Sequence, residues 1–155
     1  MAHDSAPVTI AHINRVRELM TEFAGELARR GFCHDASKFD PVEKEPLDEM
    51  QRVIAEEGQA PFGSDEYRRR TAMLGPMLQH HYQHNSHHPE HYGEAGVAGM
   101  DLADLVEMFF DWKAASERGA ESSMNLSKAC ERFKVEPQLA SILRNTAYRL
   151  DFEAD

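Results

Sequence analysis

Apolar residues recur along this chain at spacings of three and four, the period of helices that each bury one face. In the first such stretch Ile13, Val16, Met20, Phe23 and Leu27 predict a helix from about Thr9 to Arg30. Thr9 suits its N-cap and Gly31 its stop, and His12 borders its apolar face. A short segment leads to Phe39. Asp40-Pro41-Val42-Glu43 then reads as cap, first helical position and capping-box acid, with Pro46 a rival first position. That helix should reach Glu57, with a loop over 58–63. Ser64 opens the next helix, which runs toward Asn85 and must kink or break at Gly75-Pro76. Pro89 ends the helical pattern, and the stretch from Gly93 to Gly99 reads as a flexible loop. Asp101 caps an amphipathic helix from Leu102 to about Arg118, and Gly119 to Ser123 is a turn. Two more helices fall near Leu126–Phe133 and Pro137–Phe152.

Nothing alternates as a strand meander would, and no repeat or linker composition marks a boundary. The pattern therefore predicts one all-α domain over 1–155, with about six or seven helices. Trp112 and Phe133 are expected in its core. Leu139, Ile142, Leu143, Tyr148 and Leu150 of the last helix are expected to pack against the bundle.

Composition adds four constraints. With 155 residues, 41% hydrophobic and 28% charged, the chain has the make-up of a globular domain with a proper core. No apolar run approaches a membrane span and the N-terminus lacks signal-peptide regions, so a cytoplasmic protein with no membrane partner is expected. A net charge of −10 argues against duplex nucleic acid as partner. The only basic run, Arg68-Arg69-Arg70, follows Asp65-Glu66 and spreads around a helix. Cys33 and Cys130 have no CxxC spacing and read as reduced thiols, Cys33 beside the metal-type residue His34.

The chemistry concentrates in histidine and carboxylate. His34-Asp35-Ala36-Ser37-Lys38 sets an imidazole and a carboxylate side by side, with an ammonium one turn on. Six of the nine histidines fall between His80 and His91. Read as helix, His80, His84 and His87 share one face, as do His81, His84 and His88. Asp104, Glu107 and Asp111 form an acidic stripe on the 102–118 helix. Imidazole and carboxylate donors suit first-row divalent transition metals, namely Mn, Fe, Co, Ni or Zn, as one ion or two. Such ions polarise a phosphoryl oxygen and activate water at neutral pH.

One His, then His-Asp with a lysine three residues on, then more histidines and a late helical Asp: this order resembles the HD-domain metal-dependent phosphohydrolase superfamily. The strings His-Asp-x-Ser-Lys and His-His-Pro-Glu-His are also similar to those of an uncharacterised bacterial and phage branch, which supplies no established substrate. The resemblance spans roughly residues 10 to 115. It implies an all-α fold, His12, His34, Asp35 and Asp104 as metal ligands, and hydrolysis of a phosphoester or phosphoanhydride in a nucleotide or similar small metabolite. Asp111 is the reserve for Asp104. In this reading Lys38 steadies phosphoryl charge, Glu107 orients a ligand histidine or water, and His81 and His88 are further ligands. His84 is the histidine that assists proton transfer. Two rival readings stand beside it: a di-iron oxygenase on the same scaffold, as in a few relatives of that superfamily, and a non-catalytic metal-binding or interaction protein that keeps the ligands without turnover. Acidic surfaces and apolar helices are compatible with a homodimer.

Overall fold

The computed structural model describes residues 3–61, 64–118, 124–152 and 154. The chain is all-α: seven α-helices and two 3-10 stretches are found among the described residues, and their only β pairing is the single bridge Met124–Ala154. The expected turn at Gly119–Ser123 lies outside the described residues. None of the described helices is long and apolar enough to cross a membrane. The chain divides into two compact units, Met1–His34 and Asp35–Asp155.

The first unit is one helix, α1 (Ala6–Cys33). It starts before the expected Thr9 because Pro7 tolerates the first turn and Asp4 Oδ1 accepts the Ala6 N–H at 2.9 Å. It also runs past Gly31, which adopts helical geometry there, and stops where His34 turns extended at φ −51°, ψ 127°. Cys33 is exposed rather than packed.

The second unit begins with a 3-10 turn over Ala36–Phe39. It continues through α2 (Pro41–Glu57), α3 (Asp65–Met73) and α4 (Gly75–His84). A 3-10 stretch over Pro89–Gly99 then leads to α5 (Leu102–Ser116), α6 (Leu126–Arg132) and α7 (Pro137–Arg149). Helix boundaries follow local chemistry. Ser64 caps α3 by accepting the Tyr67 N–H at 3.1 Å, and Asn125 caps α6 by accepting the Lys128 N–H at 2.9 Å. Leu74 separates α3 from α4 just before Gly75-Pro76. The expected loop over Gly93–Gly99 is instead wound into 3-10 turns, jointed at Gly93 and Gly96. Both joints have positive φ with ψ near −130°, a region open to glycine alone (φ 56°, ψ −125°; φ 50°, ψ −133°).

The apolar core lies among α5, α6 and α7, where Phe109, Leu126, Cys130, Ala140, Leu143 and Ala147 are buried together. Trp112 stacks on Phe133 with ring centroids 5.5 Å apart. On α7 the buried face runs through Ala140, Leu143 and Ala147, so Ile142, Tyr148 and Leu150 are exposed, contrary to expectation. Ile142 and Tyr148 each sit one residue away from a buried neighbour, which turns them about 100° off that face, and Leu150 is the residue at which the helix ends. At the other end α2 packs against α4 and the first 3-10 turn. The buried groups there are largely polar, and that polar layer is the candidate site.

Candidate metal centre

Asp35 opens the second unit in the left-handed region, at φ 55° and ψ 22°. Asp adopts this conformation more readily than most residues. The following 3-10 turn brings Lys38 back, and its Nζ donates to Asp35 Oδ2 at 2.5 Å. The other oxygen, Oδ1, lies 3.3 Å from His81 Nε2 and 3.5 Å from His87 Nε2. His81 Nε2 is in turn 2.9 Å from His88 Nε2. Asp35, His81, His87 and His88 thus each present one donor atom, all within 4.8 Å of one another.

Donors about 2.0–2.1 Å from a single ion lie about 2.9–3.4 Å apart at octahedral to tetrahedral angles. The observed separations of 2.9 and 3.3 Å fall in that range, and the 3.5 Å from His87 to Asp35 lies just above it. The set of three imidazoles and one carboxylate suits a first-row transition metal.

The outer ring nitrogens decide whether the inner ones carry lone pairs. His81 Nδ1 lies 2.8 Å from Glu43 Oε2, and His87 Nδ1 lies 3.1 Å from Glu107 Oε1. An ionised carboxylate only accepts, so each ring is protonated at Nδ1 and bears its lone pair at Nε2. Such carboxylate–imidazole pairs are the usual backing of metal-bound histidine. Glu43 is fully buried and its second oxygen lies 2.7 Å from His80 Nδ1. Burial raises its carboxyl, but hydrogen bonds from His80, Ser37 and His81 more than offset this, leaving Glu43 below the usual carboxylate range. Burial first, then His87 and His81, push the His88 imidazole down to about 3, against the opposing pull of Asp111 and Asp35. His88 is therefore neutral at physiological pH.

The expected helical spacing of the histidines ends early. The chain leaves helical geometry at Asn85 (φ −126°, ψ 96°), and a turn closed by His88 N–H to Asn85 O at 3.2 Å carries His87 and His88 back toward Asp35. Asn85 is buried and ties this turn to the first 3-10 segment, donating from Nδ2 to Ser37 Oγ at 2.7 Å and to His81 O at 2.8 Å. His87 therefore joins His81 and His88, and His84 does not. His84 is exposed, with Nδ1 2.8 Å from His80 O and its ring stacked on His80.

The acidic stripe of α5 is turned inward rather than solvated. Glu107 backs His87, and Asp111 offers a carboxylate oxygen within 4.8 Å of one from Asp35. Asp104, expected as the late ligand, is elsewhere. It accepts from Ser86 Oγ at 2.6 Å, from Tyr92 Oη at 2.5 Å and from the Asp101 N–H at 3.2 Å, closing a capping box with Asp101. The late acid beside the cluster is Asp111, the reserve, because one extra pair of turns along α5 is needed to reach Asp35. His12 and His34, expected as ligands, belong to the N-terminal unit, where His12 is exposed on α1 and half-buried His34 ends that helix.

Two participants escaped the sequence. Glu43 reads as a capping acid, yet it forms no cap and reaches back to two histidines. Helical spacing carried past Asn85 sets His87 on a face with His80 and His84, apart from His81 and His88, and so hides its convergence with them. The pair Asn85-Ser86, both turn formers, was the available signal that α4 stops there.

No curated protein and no solved structure matches this chain. The model of a family described as Family of unknown function (DUF5662) matches residues 1–149, and the chain belongs to that family.

Proposed function

We propose that this protein is a metal-dependent phosphohydrolase of the HD kind, in which Asp35, His81, His87 and His88 hold a divalent transition metal. The observation that carries the metal site is the pairing of His81 Nδ1 with Glu43 and His87 Nδ1 with Glu107, while both Nε2 atoms face Asp35 Oδ1. Bound there, the ion supplies Lewis-acid polarisation and lowers the pKa of water. Asp35 supplies the one charged ligand. Lys38, ion-paired to it at 2.5 Å, adds positive charge at the rim and suits a phosphoryl group that gains charge in the transition state. Asp111 supplies a second carboxylate beside Asp35, which suits a second ion. The substrate class, a nucleotide or similar small phosphorylated metabolite, follows from the resemblance of the His-Asp-x-Ser-Lys order to the HD superfamily. The same nitrogen-rich donors also suit iron, which supports the oxygenase rival.

Elemental analysis of untagged wild type beside Asp35→Ala tests the site. About one or two equivalents in the wild type, lost in the variant, is the expected result. Turnover of phosphomonoester and phosphodiester substrates by the loaded wild type supports the hydrolase reading. Iron with oxygen consumption and no phosphate release replaces it with the oxygenase. Absence of metal in both proteins after supplementation removes the enzyme reading.

A further inference from the structure

We infer that Asp104 is a positioning residue of the metal centre, clamping the turn that carries His87 and His88 onto α5. The inference rests on the metal reading above. Asp104 is 2% exposed, and both carboxylate oxygens are engaged by the chain itself. Oδ1 accepts from Ser86 Oγ at 2.6 Å, while Oδ2 accepts from Tyr92 Oη at 2.5 Å and from the Asp101 N–H at 3.2 Å. Capping alone explains only the last of these contacts. The other two reach 18 and 12 residues back along the chain, to either side of His87 and His88.

Ser86 immediately precedes His87, so its bond to Asp104 sets the direction in which the His87 backbone leaves α4. Tyr92 anchors the far end of the same segment. Its hydroxyl is pushed up to about 12, by burial first and then by Asp104, and so stays a donor. One turn along α5, Glu107 takes His87 Nδ1 at 3.1 Å. Asp104 and Glu107 together hold the segment at its ends and its middle. Hydroxyl-to-carboxylate bonds of this length are charge-assisted and strong. Losing them frees the turn while leaving every proposed metal ligand in place.

Cobalt(II) affinity of the full chain, by chelator competition, separates the possibilities. It is measured for wild type, Asp104→Asn, Ser86→Ala and Tyr92→Phe, with the cobalt absorption spectrum at saturation and urea unfolding of each metal-free protein. Expected are about 10–100-fold weaker binding in Asp104→Asn, weaker binding also in Ser86→Ala and Tyr92→Phe, and an unchanged saturated spectrum. Wild-type affinity in all three variants, even with reduced stability, overturns the inference and leaves the metal reading intact. A spectrum altered in Asp104→Asn alone overturns it in favour of a ligand role. A wild type that binds no cobalt overturns the metal reading, and this one with it. Should Asp104→Asn fail to fold, the two hydroxyl variants decide the matter, since each removes one partner and keeps the carboxylate.

Discussion

Glu43 Oε2 lies 2.8 Å from His81 Nδ1, on the side of the ring away from Asp35. A fully buried carboxylate is costly unless it is bonded, and Glu43 is bonded to two imidazoles from α4. The pair joins α2 to α4 and fixes the His81 tautomer.

Glu43→Gln should therefore weaken metal binding by about 10–100-fold while the protein still folds, because the amide keeps the shape but not the charge. Glu43→Ala should lower stability as well, by about 1–3 kcal/mol, since it leaves ring N–H groups buried without acceptors. Chelator competition and urea unfolding check the two effects separately.

Asp35→Asn should lose most bound metal without losing the fold, because Asn also tolerates the left-handed conformation at φ 55°. Asp35→Ala should lose the metal and also about 1–2 kcal/mol of stability from backbone strain. Among the histidines, His87→Ala should abolish stoichiometric metal and His84→Ala should retain it. Retention in His87→Ala with loss in His84→Ala would reverse the assignment of the cluster.

Acid should destabilise the metal-free protein in a defined window. The His88 imidazole is held down at about 3 in the folded state, against an ordinary value of 6.5. Between those values the unfolded chain binds the extra proton and the folded one does not. The stabilising contribution is complete above 6.5 and is lost as pH falls toward 3, at a slope of at most about 1.4 kcal/mol per pH unit. Glu43, lowered by its histidine bonds against the pull of burial, acts with the same sign below its ordinary 4.5. Urea midpoints measured from pH 7 to pH 4 should fall steeply in the wild type and less steeply in His88→Gln.

The apolar end of the unit offers an internal comparison. Leu143 is 5% exposed and Ile142 is 53% exposed on the same helix. Leu143→Ala should cost about 2–5 kcal/mol and Ile142→Ala less than about 1 kcal/mol. Equal costs would mean that α7 presents a different face to α5 and α6.

The period of three and four was enough to mark this chain as helical, and Pro, Gly and capping residues marked most of the breaks, because those signals act within one turn. The presence of a histidine–carboxylate centre around Asp35 was legible for the same reason: the residue types and the His-Asp-x-Ser-Lys string are local. The partners inside it were not. Whether Glu43 caps its own helix or reaches to His81 depends on how closely α4 lies to α2. Whether His84 or His87 faces Asp35 depends on the turn at Asn85, which breaks the helical spacing. Asp104 and Asp111 sit on one stripe of one helix, and only the position of the 85–92 turn decides that the first receives Ser86 and Tyr92 while the second stands beside Asp35. Local sequence sets which donors exist; the packing of α2, α4 and α5 sets which of them converge, because a bond of about 3 Å between distant residues is decided by where whole helices come to rest.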